Sequence, residues 1–384
     1  MIKRIYQLYW FVLTTSLFFL SSGLNARTFN LDEVKQQTEE LTADGPYIIH
    51  QPDNKIRFIR VNRLGEITDT IINNVSDDFC FEVTDHKGDY HFNVRLHSTE
   101  RPEYKYDKAD ETFVLSDPHG RLDCFISLLQ GNNIIDDNYN WTFGNNHLVI
   151  IGDVFDRGKD VLSIFWLIYK LEDEARRSGG RVSLLLGNHE AMILGNNLKY
   201  TDNKYKQLAK HLDINYCDLF GPDTELGRWL STRNTMQIIG KDVYVHAGLG
   251  QIFYQKGIDI PTVNKTISKY LFYHYKERKK LSPTLKFLFG NNGPLWYRGL
   301  VREDARYNPL SKDTLNLILN DLHCKHIIVG HTIFDDISTF YKDKVIGVNV
   351  DNKENMDKGL GRALLIRKNK YYIVGDNGIL RKLF

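Results

Sequence analysis

Cysteine is scarce in this sequence, which has four among 384 residues. The four lie far apart and form no C-x-x-C pair: Cys80, Cys124, Cys217 and Cys324. Their spacing predicts neither a zinc ribbon nor a thioredoxin-like redox site. Four cysteines allow three disulfide pairings, and the sequence does not choose among them.

A surplus of charge of one sign is also absent. Fifty basic and 48 acidic side chains give a formal net charge of +2, so no strong field favours nucleic acid or an acidic membrane as a partner. Internal repeats and low-complexity tracts are absent as well. What is present is 42% hydrophobic residues, enough for a globular protein with a sizeable core in one large domain or two ordinary ones.

The N-terminal residues have the pattern of a secretory signal. Lys3 and Arg4 precede a charge-free stretch whose apolar centre runs from about Leu8 to Leu20. A centre of this length suits a cleaved signal better than a membrane span of about 20 residues. We therefore expect residues 1–26 to be a cleaved signal, with an uncleaved N-terminal membrane anchor as the alternative. In either case we expect an exported protein, periplasmic or secreted.

The rest of the chain has two sections with different patterns. Residues 27–105 alternate apolar and polar residues in short runs such as KIRFIRV, DFCFEV and YHFNVRL, which predicts a β-rich section. Residues 106–384 alternate strand-like runs with helical periods, one of them from Asp160 to Arg177, and this predicts an α/β body. The aromatic and basic run at 269–280, KYLFYHYKERKK, is interpreted as a solvated amphipathic helix and not as a nucleic-acid stripe.

Five apolar runs in the α/β body end in loops rich in Asp, His, Asn and Gly. They are FVLSDPHG, LVIIGDVFDRG, VSLLLGNHE, VYVHAG and IIVGHT. A buried strand that runs into such a loop delivers polar side chains to the carboxyl edge of a sheet. Two divalent metal ions need a bridging carboxylate with oxygen and imidazole ligands on either side. The loops supply such a set: Asp117, His119, Asp153, Asn188, His246 and His331.

The first loop sets a local expectation about the backbone. If Asp117 and His119 alternate along one extended segment, both side chains point the same way, and Gly120 then lets the backbone turn. We expect this arrangement to give one metal ion an Asp and a His ligand.

The five motifs resemble the signature of the calcineurin-like metallophosphoesterases. Within that superfamily, the D-R-G at 156–158 and the N-H-E at 188–190 resemble the phosphoprotein phosphatase family, and particularly its bacterial and Shewanella-like branch. The resemblance covers roughly residues 113–339. It implies an α/β fold of the metallophosphoesterase β-sandwich type, with two mixed sheets flanked by helices and a small β-rich N-terminal section.

The resemblance also implies a role for each motif residue. One metal ion would be bound by Asp117, His119 and Asp153, and the other by Asp153, Asn188, His246 and His331, so that Asp153 is the bridge. His189 would protonate the leaving group and Asp156 would hold its imidazole. The phosphate would be bound by Arg157, Arg298 and Asn188. The two divalent ions could be manganese, iron or zinc, with manganese as the first choice.

This pattern implies hydrolysis of phosphate monoesters by a hydroxide that the two ions activate, on a phosphorylated protein, peptide or small phosphomonoester. Phosphotyrosine is preferred over phosphoserine or phosphothreonine, because of the Shewanella-like resemblance and the many aromatic residues between 197 and 275. A diadenosine polyphosphate or other nucleotide hydrolase is the first alternative, and an inactive metal-binding scaffold is the second. The intact pair of His189 and Asp156 argues against the scaffold.

Overall fold

The computed structural model describes residues 41–76 and 78–384, so the predicted N-terminal signal lies outside the described residues. In the described part of the chain, no helix is both long and apolar enough to cross a membrane. None of the four cysteines, all of which the structure describes, is paired in a disulfide.

The section before residue 105 consists of β-strands, as its alternating pattern predicts. Three strands form an antiparallel sheet, β1 (Asp44–Gln51), β2 (Lys55–Val61) and β3 (Ile67–Asn73), and two form a hairpin, β4 (Cys80–Thr84) and β5 (His91–Arg95). In β4, Phe81 and Val83 are buried while Cys80 and Glu82 are exposed, which is the period of two of a strand with one face on the core. The small β-rich N-terminal section is therefore confirmed.

The α/β body contains two six-stranded mixed sheets. One has the order β13-β14-β12-β11-β10-β6, from β6 (Lys105–Tyr106), β10 (Met236–Ile239), β11 (Asp242–Val245), β12 (His326–Val329), β13 (Ser338–Phe340) and β14 (Val345–Gly347). The other has the order β17-β16-β15-β7-β8-β9, from β7 (Glu111–Leu115), β8 (His147–Ile150), β9 (Arg181–Leu184), β15 (Ala363–Arg367), β16 (Lys370–Val374) and β17 (Leu380–Lys382). A buried apolar cluster joins Val114 and Val149 of one sheet to Tyr244 and Ile328 of the other. The predicted sandwich of two mixed sheets is confirmed.

Helices cover the sheets and link their strands. They are α1 (Leu122–Gly131), α2 (Val161–Arg177), α3 (Asn188–Leu194), α4 (Asn203–His211), α5 (Glu225–Thr232), α6 (Gln251–Lys256), α7 (Ile260–Lys269), α8 (Pro283–Leu288), α9 (Lys312–Asp321) and α10 (Asn352–Asp357). Short 3-10 helices occupy Tyr216–Phe220, Arg278–Lys280 and Ala305–Tyr307. The helix predicted from Asp160 to Arg177 is present as α2, with Asp160 as its N-cap residue.

The N-terminal strands pack against α2. The Trp166 indole donates to the Pro46 carbonyl (2.9 Å) and its ring lies 4.8 Å from that of Phe81. The turn between β4 and β5 is tied to the start of the helix, because the backbone N–H of His86 donates to the Asp160 carboxylate (2.7 Å). Residues 41–384 form one compact unit. The domain boundary at residues 105 and 106 stays a prediction.

The amphipathic helix predicted at 269–280 is wrong. Helix α7 ends at Lys269, and the following residues are turns up to the 3-10 helix at Arg278–Lys280. Arg278 is buried and donates to the carbonyls of Leu271 (3.0 Å) and Ala191 (2.6 Å). Its guanidinium therefore satisfies carbonyls of irregular backbone, a tertiary contact that the local pattern does not show.

Candidate active site

The carboxyl ends of parallel strands bring the five motif loops together. β7, β8 and β9 run parallel in one sheet, and β11 and β12 run parallel in the other. Six residues of these loops have left-handed backbones with φ from 43° to 72°, namely Asp117, His119, Asp153, Asp156, Arg157 and His331. Side chains rarely adopt this region, and such residues cluster where surrounding structure holds a functional geometry in place.

The expected extended segment from Asp117 to His119 is therefore wrong, because both residues turn through the left-handed region. Their side chains still converge, with 4.0 Å between Asp117 Oδ1 and His119 Nε2. Gly120 turns as predicted, at φ +63°, and a Cβ there would lie 2.8 Å from the Gly158 backbone. The ligand pair arises from two tight turns that pack on the neighbouring loop.

Asp153 lies at the centre of the site. Its Oδ2 is 3.2 Å from His246 Nε2, 3.9 Å from His119 Nε2 and 3.8 Å from His189 Nε2. Two clusters of ligand atoms share it: one consists of His119, Asp153 and His189, and the other of Asp153, His246 and His331. In each cluster the ligand atoms lie within 4.8 Å of one another. This is the position that a bridging carboxylate requires.

The outer nitrogens of two histidines are held by backbone carbonyls. His119 Nδ1 donates to the Phe155 carbonyl (2.7 Å), and His246 Nδ1 donates to the Ile151 carbonyl (2.7 Å). These bonds fix the tautomer in which Nε2 is the ligand atom, as outer partners do at metal sites. In addition, His331 Nε2 is buried with no hydrogen-bond partner in the described residues. A buried polar atom of this kind needs a partner, and a cation would supply one.

Burial keeps two of the histidines neutral, as cation ligands must be, but it disfavours the charged form of Asp117. It lowers the pKa of His119 to about 4, and burial together with His246 and Arg298 holds the pKa of His331 well below its ordinary value. Burial also raises the pKa of Asp117 to about 7, against the opposing effect of His246. A buried carboxylate is costly without a nearby positive charge. The donor set and its environment thus fit divalent cations.

Asn188 lies at the first position of α3, where its Oδ1 is 2.9 Å from His246 Nε2. Asn188 and His246 both belong to the predicted set of metal ligands. Burial alone would lower the pKa of His246, but Asp153 and Asp117 raise it to about 9. Among the described residues, the Asn188 amide nitrogen has only a long contact of 3.9 Å to the Met192 sulfur, so it can donate to a phosphate.

His189 and Asp156 form the predicted pair. His189 Nδ1 donates to Asp156 Oδ2 at 2.6 Å, and both side chains are buried. Burial alone would lower the pKa of His189, but Asp153 and Asp156 raise it above the ordinary value, which favours a proton donor. The Thr201 hydroxyl donates to the other Asp156 oxygen (3.0 Å). Thr201 lies outside the five motifs, and no sequence signal pointed to it.

Glu190 and Ser116 also hold the ligands, although the sequence suggested no role for either. The Glu190 carboxylate is fully buried and accepts from four backbone N–H groups, those of Asp153 (2.9 Å), Val154 (2.8 Å), Phe155 (3.3 Å) and Gly187 (2.7 Å). The Ser116 hydroxyl donates to the Asp117 carboxylate. Glu190 could have been suspected from its place in the N-H-E motif, but its partners follow from the fold.

The two predicted phosphate-binding arginines lie beside the ligand clusters. Arg298 donates to the His331 carbonyl (3.1 Å) and the Thr332 hydroxyl (2.9 Å). Arg157 is exposed and, within the described residues, forms no ion pair. Asp117, His119, Arg157 and Ile333 line a cavity of about 190 Å³. The cavity therefore adjoins the side of the site where Asp117 and His119 lie.

All ten predicted site residues are thus brought into one place. Their chemical roles stay predictions, since contacts alone do not test a reaction.

Comparison with known proteins gives consistent relatives. The family described as calcineurin-like phosphoesterase matches residues 112–334, more than half of the chain. A cold-active protein-tyrosine phosphatase of a psychrophilic Shewanella species is similar in structure, with a TM-score of 0.80 and 31% identity over 89% of this chain and 99% of that one. Shewanella-like protein phosphatase 2 of Arabidopsis thaliana is 26% identical over 69% of this chain and 77% of its own length. A symmetrical bis(5'-nucleosyl)-tetraphosphatase of Buchnera aphidicola is 28% identical over 50% of this chain and 62% of its own length.

Proposed function

This chain belongs to the calcineurin-like phosphoesterase family and is a metallophosphatase, and from that premise we propose that it is a phosphoprotein phosphatase that favours phosphotyrosine. We also propose that it works with two divalent ions, manganese being the first to try, and that it is exported. Export rests on the pattern of residues 1–26.

The observation that carries the proposal is the convergence of two clusters of candidate ligand atoms on Asp153, one of which contains His189 in its pair with Asp156. Asp117, His119 and Asp153 would hold one ion, and Asp153, Asn188, His246 and His331 would hold the other. Bound there, divalent ions lower the pKa of coordinated water and polarise phosphoryl oxygens. A binding module would have no need for a proton donor beside its ligands.

The protein's own side chains supply the remaining chemistry. His189 is buried, Asp153 and Asp156 raise its pKa, and Asp156 orients its Nδ1, so its Nε2 can give a proton to the departing oxygen. Arg298 is fixed by two hydrogen bonds through Nη1, and its other N–H groups can bind phosphoryl oxygens. Arg157 is exposed beside the cavity. Forked cations of this kind stabilise the charge of a phosphoryl group during transfer.

The substrate preference rests on the structural relatives. The Shewanella enzyme that is similar over 89% of this chain is described as a protein-tyrosine phosphatase. The nucleotide hydrolase of Buchnera matches only half of this chain, so a nucleotide substrate is the second arm of the test.

The test compares four substrates on one preparation. Purified protein is stripped of metal, reloaded with Mn²⁺ and assayed with a phosphotyrosine peptide, a phosphoserine peptide, p-nitrophenyl phosphate and diadenosine tetraphosphate. We expect metal-dependent release of phosphate from the monoesters, fastest from the phosphotyrosine peptide. His189→Asn should lower kcat about 10²- to 10⁴-fold, while the matched control His211→Asn, at an exposed histidine in α4, should change nothing.

Other outcomes would change the assignment. Cleavage of the dinucleotide alone would make the protein a nucleotide hydrolase. If the metal-loaded protein cleaved none of the four substrates, an inactive metal-binding scaffold would be the better interpretation. Equal losses in the two histidine variants would remove His189 from the mechanism.

A further inference from the structure

Tyr200 places an exposed aromatic ring at the edge of the catalytic site. The residue is 41% exposed, and its ring centroid lies 5.4 Å from that of the His189 imidazole. The Arg157 guanidinium carbon lies 5.8 Å from the same ring centroid. An exposed tyrosine therefore adjoins both the predicted proton donor and a predicted phosphate-binding cation.

The backbone on both sides of this ring is tied to the loop that carries Asp156 and Arg157. The Arg157 backbone N–H donates to the Tyr200 carbonyl (3.2 Å). The next residue, the buried Thr201, donates through its hydroxyl to Asp156 (3.0 Å). The Tyr200 ring is thus exposed on a backbone that hydrogen bonds hold against the loop of Asp156 and Arg157.

The Tyr200 ring adjoins the residue that would protonate the leaving group. His189 Nε2 has to approach the departing oxygen to within hydrogen-bond distance, roughly 2.6–3.2 Å. In phosphotyrosine, that oxygen is bonded directly to a phenyl ring. Aromatic rings attract one another at centroid separations of about 4.5–7 Å. A ring attached to an oxygen that His189 can reach is then close enough to pack against Tyr200.

We propose that Tyr200 binds the aromatic ring of the leaving group and so selects aryl phosphate monoesters, phosphotyrosine among them, over alkyl ones. This inference rests on the proposed phosphatase function and assigns its specificity to one side chain. A phosphoserine presents no ring to Tyr200 and gains nothing from it. The hydroxyl of Tyr200 plays no part, since the contact is made by the ring.

The experiment measures a ratio of specificities in the full chain loaded with Mn²⁺. Two peptides of identical sequence carry either phosphotyrosine or phosphoserine, and kcat/KM is measured for both. We expect Tyr200→Ala to lower the ratio of kcat/KM for phosphotyrosine to kcat/KM for phosphoserine roughly 3- to 10-fold, because the interaction energy of one aromatic pair corresponds to a factor of this size. Tyr200→Phe should restore the wild-type ratio. The matched control is Tyr273→Ala, at an equally exposed tyrosine whose ring contacts Tyr270.

Each other result has a distinct meaning. If Tyr200→Ala lowers both values equally, or neither, the assignment of Tyr200 is overturned while the phosphatase function stands. If Tyr200→Phe fails to restore the ratio, the hydroxyl and not the ring matters, and the ring-contact proposal falls. If the wild-type protein cleaves neither peptide, the proposed function fails and this inference fails with it. Unchanged inhibition by inorganic phosphate in Tyr200→Ala would show that the phosphate site is still intact.

Discussion

Replacing Glu190 with glutamine should destabilise the protein without changing the shape of the site. The two side chains have nearly the same volume, so no cavity and no overpacking accompany the change. What changes is the polar contact, because four backbone N–H groups point at the two carboxylate oxygens. A glutamine offers one oxygen and one NH₂ group, and the NH₂ group cannot accept from an N–H.

The expected cost follows from counting the donors. Glu190 Oε1 accepts from Val154 and Phe155, and Oε2 accepts from Asp153 and Gly187. In either orientation, the glutamine therefore leaves two buried N–H groups unpaired. Each unpaired buried donor costs about 1–3 kcal/mol, and the two remaining bonds lose a charged acceptor. We expect the free energy of unfolding to fall by about 2–6 kcal/mol.

Urea unfolding of metal-free protein at pH 7 would measure this loss apart from metal binding. The control is Glu82→Gln, since Glu82 is exposed and its one side-chain partner in the described part of the chain is Arg60 at 3.1 Å. That variant should stay within about 0.5 kcal/mol of the wild type. If Glu190→Gln were as stable as the control, the carboxylate would not hold the loop, and the role assigned to its four hydrogen bonds would be refuted.

Three further predictions follow from other contacts. Thr201→Val removes the hydroxyl that donates to Asp156. Steady-state kinetics should show kcat roughly 3- to 10-fold lower at an unchanged KM. A raised KM with an unchanged kcat would contradict a role of Thr201 in positioning Asp156. Burial lowers the pKa of His147 to about 3, so between that pH and about 6.5 the unfolded chain binds a proton that the native state does not. Acidification should then lower the free energy of unfolding by up to about 1.4 kcal/mol per pH unit. In His147→Gln, the free energy of unfolding should decrease less between about pH 6.5 and pH 4. Chelation of bound metal should lower the melting temperature. Mn²⁺ at a hundred times its Kd should raise the free energy of unfolding by about 2.7 kcal/mol per site. An unchanged melting temperature would argue against metal binding by the two ligand clusters.

The sequence was sufficient to predict which residues the fold brings together but not the backbone that holds them. All of the predicted ligands follow strands whose carboxyl ends meet, so a pattern of apolar runs and polar loops was enough to bring them together. The left-handed turns at Asp117 and His119 were not predicted, because nothing in a D-P-H-G run distinguishes them from an extended segment. They arise where two loops pack backbone to backbone, as Gly120 and Gly158 do.

The misses share one physical cause. Thr201 acts on Asp156, 45 residues earlier, and Arg278 is buried against the Ala191 carbonyl, 87 residues earlier. Local periodicity contains no information about such partners. The run at 269–280 therefore looked like a solvated helix, whereas its arginine satisfies carbonyls inside the fold. The β-strands of the N-terminal section were predictable because their alternation is itself local.

The loop from Asp153 to Asp160 shows how this fold prepares its site. Its N–H groups at 153–155 are bound by Glu190, the N–H of Arg157 by the Tyr200 carbonyl, and the N–H of Asp160 by the Gly120 carbonyl (3.1 Å). These acceptors lie on three other segments, so the fold itself holds the backbone of Asp153, the predicted bridging carboxylate, and of the loop that carries Asp156. Metal binding then has little backbone to order, and its free energy goes into the ligand contacts themselves. The same hydrogen bonds join the segment of Tyr200 to the loop of Asp156 and Arg157, so the proposed selection of the leaving group and its proposed protonation involve two segments that are attached to each other.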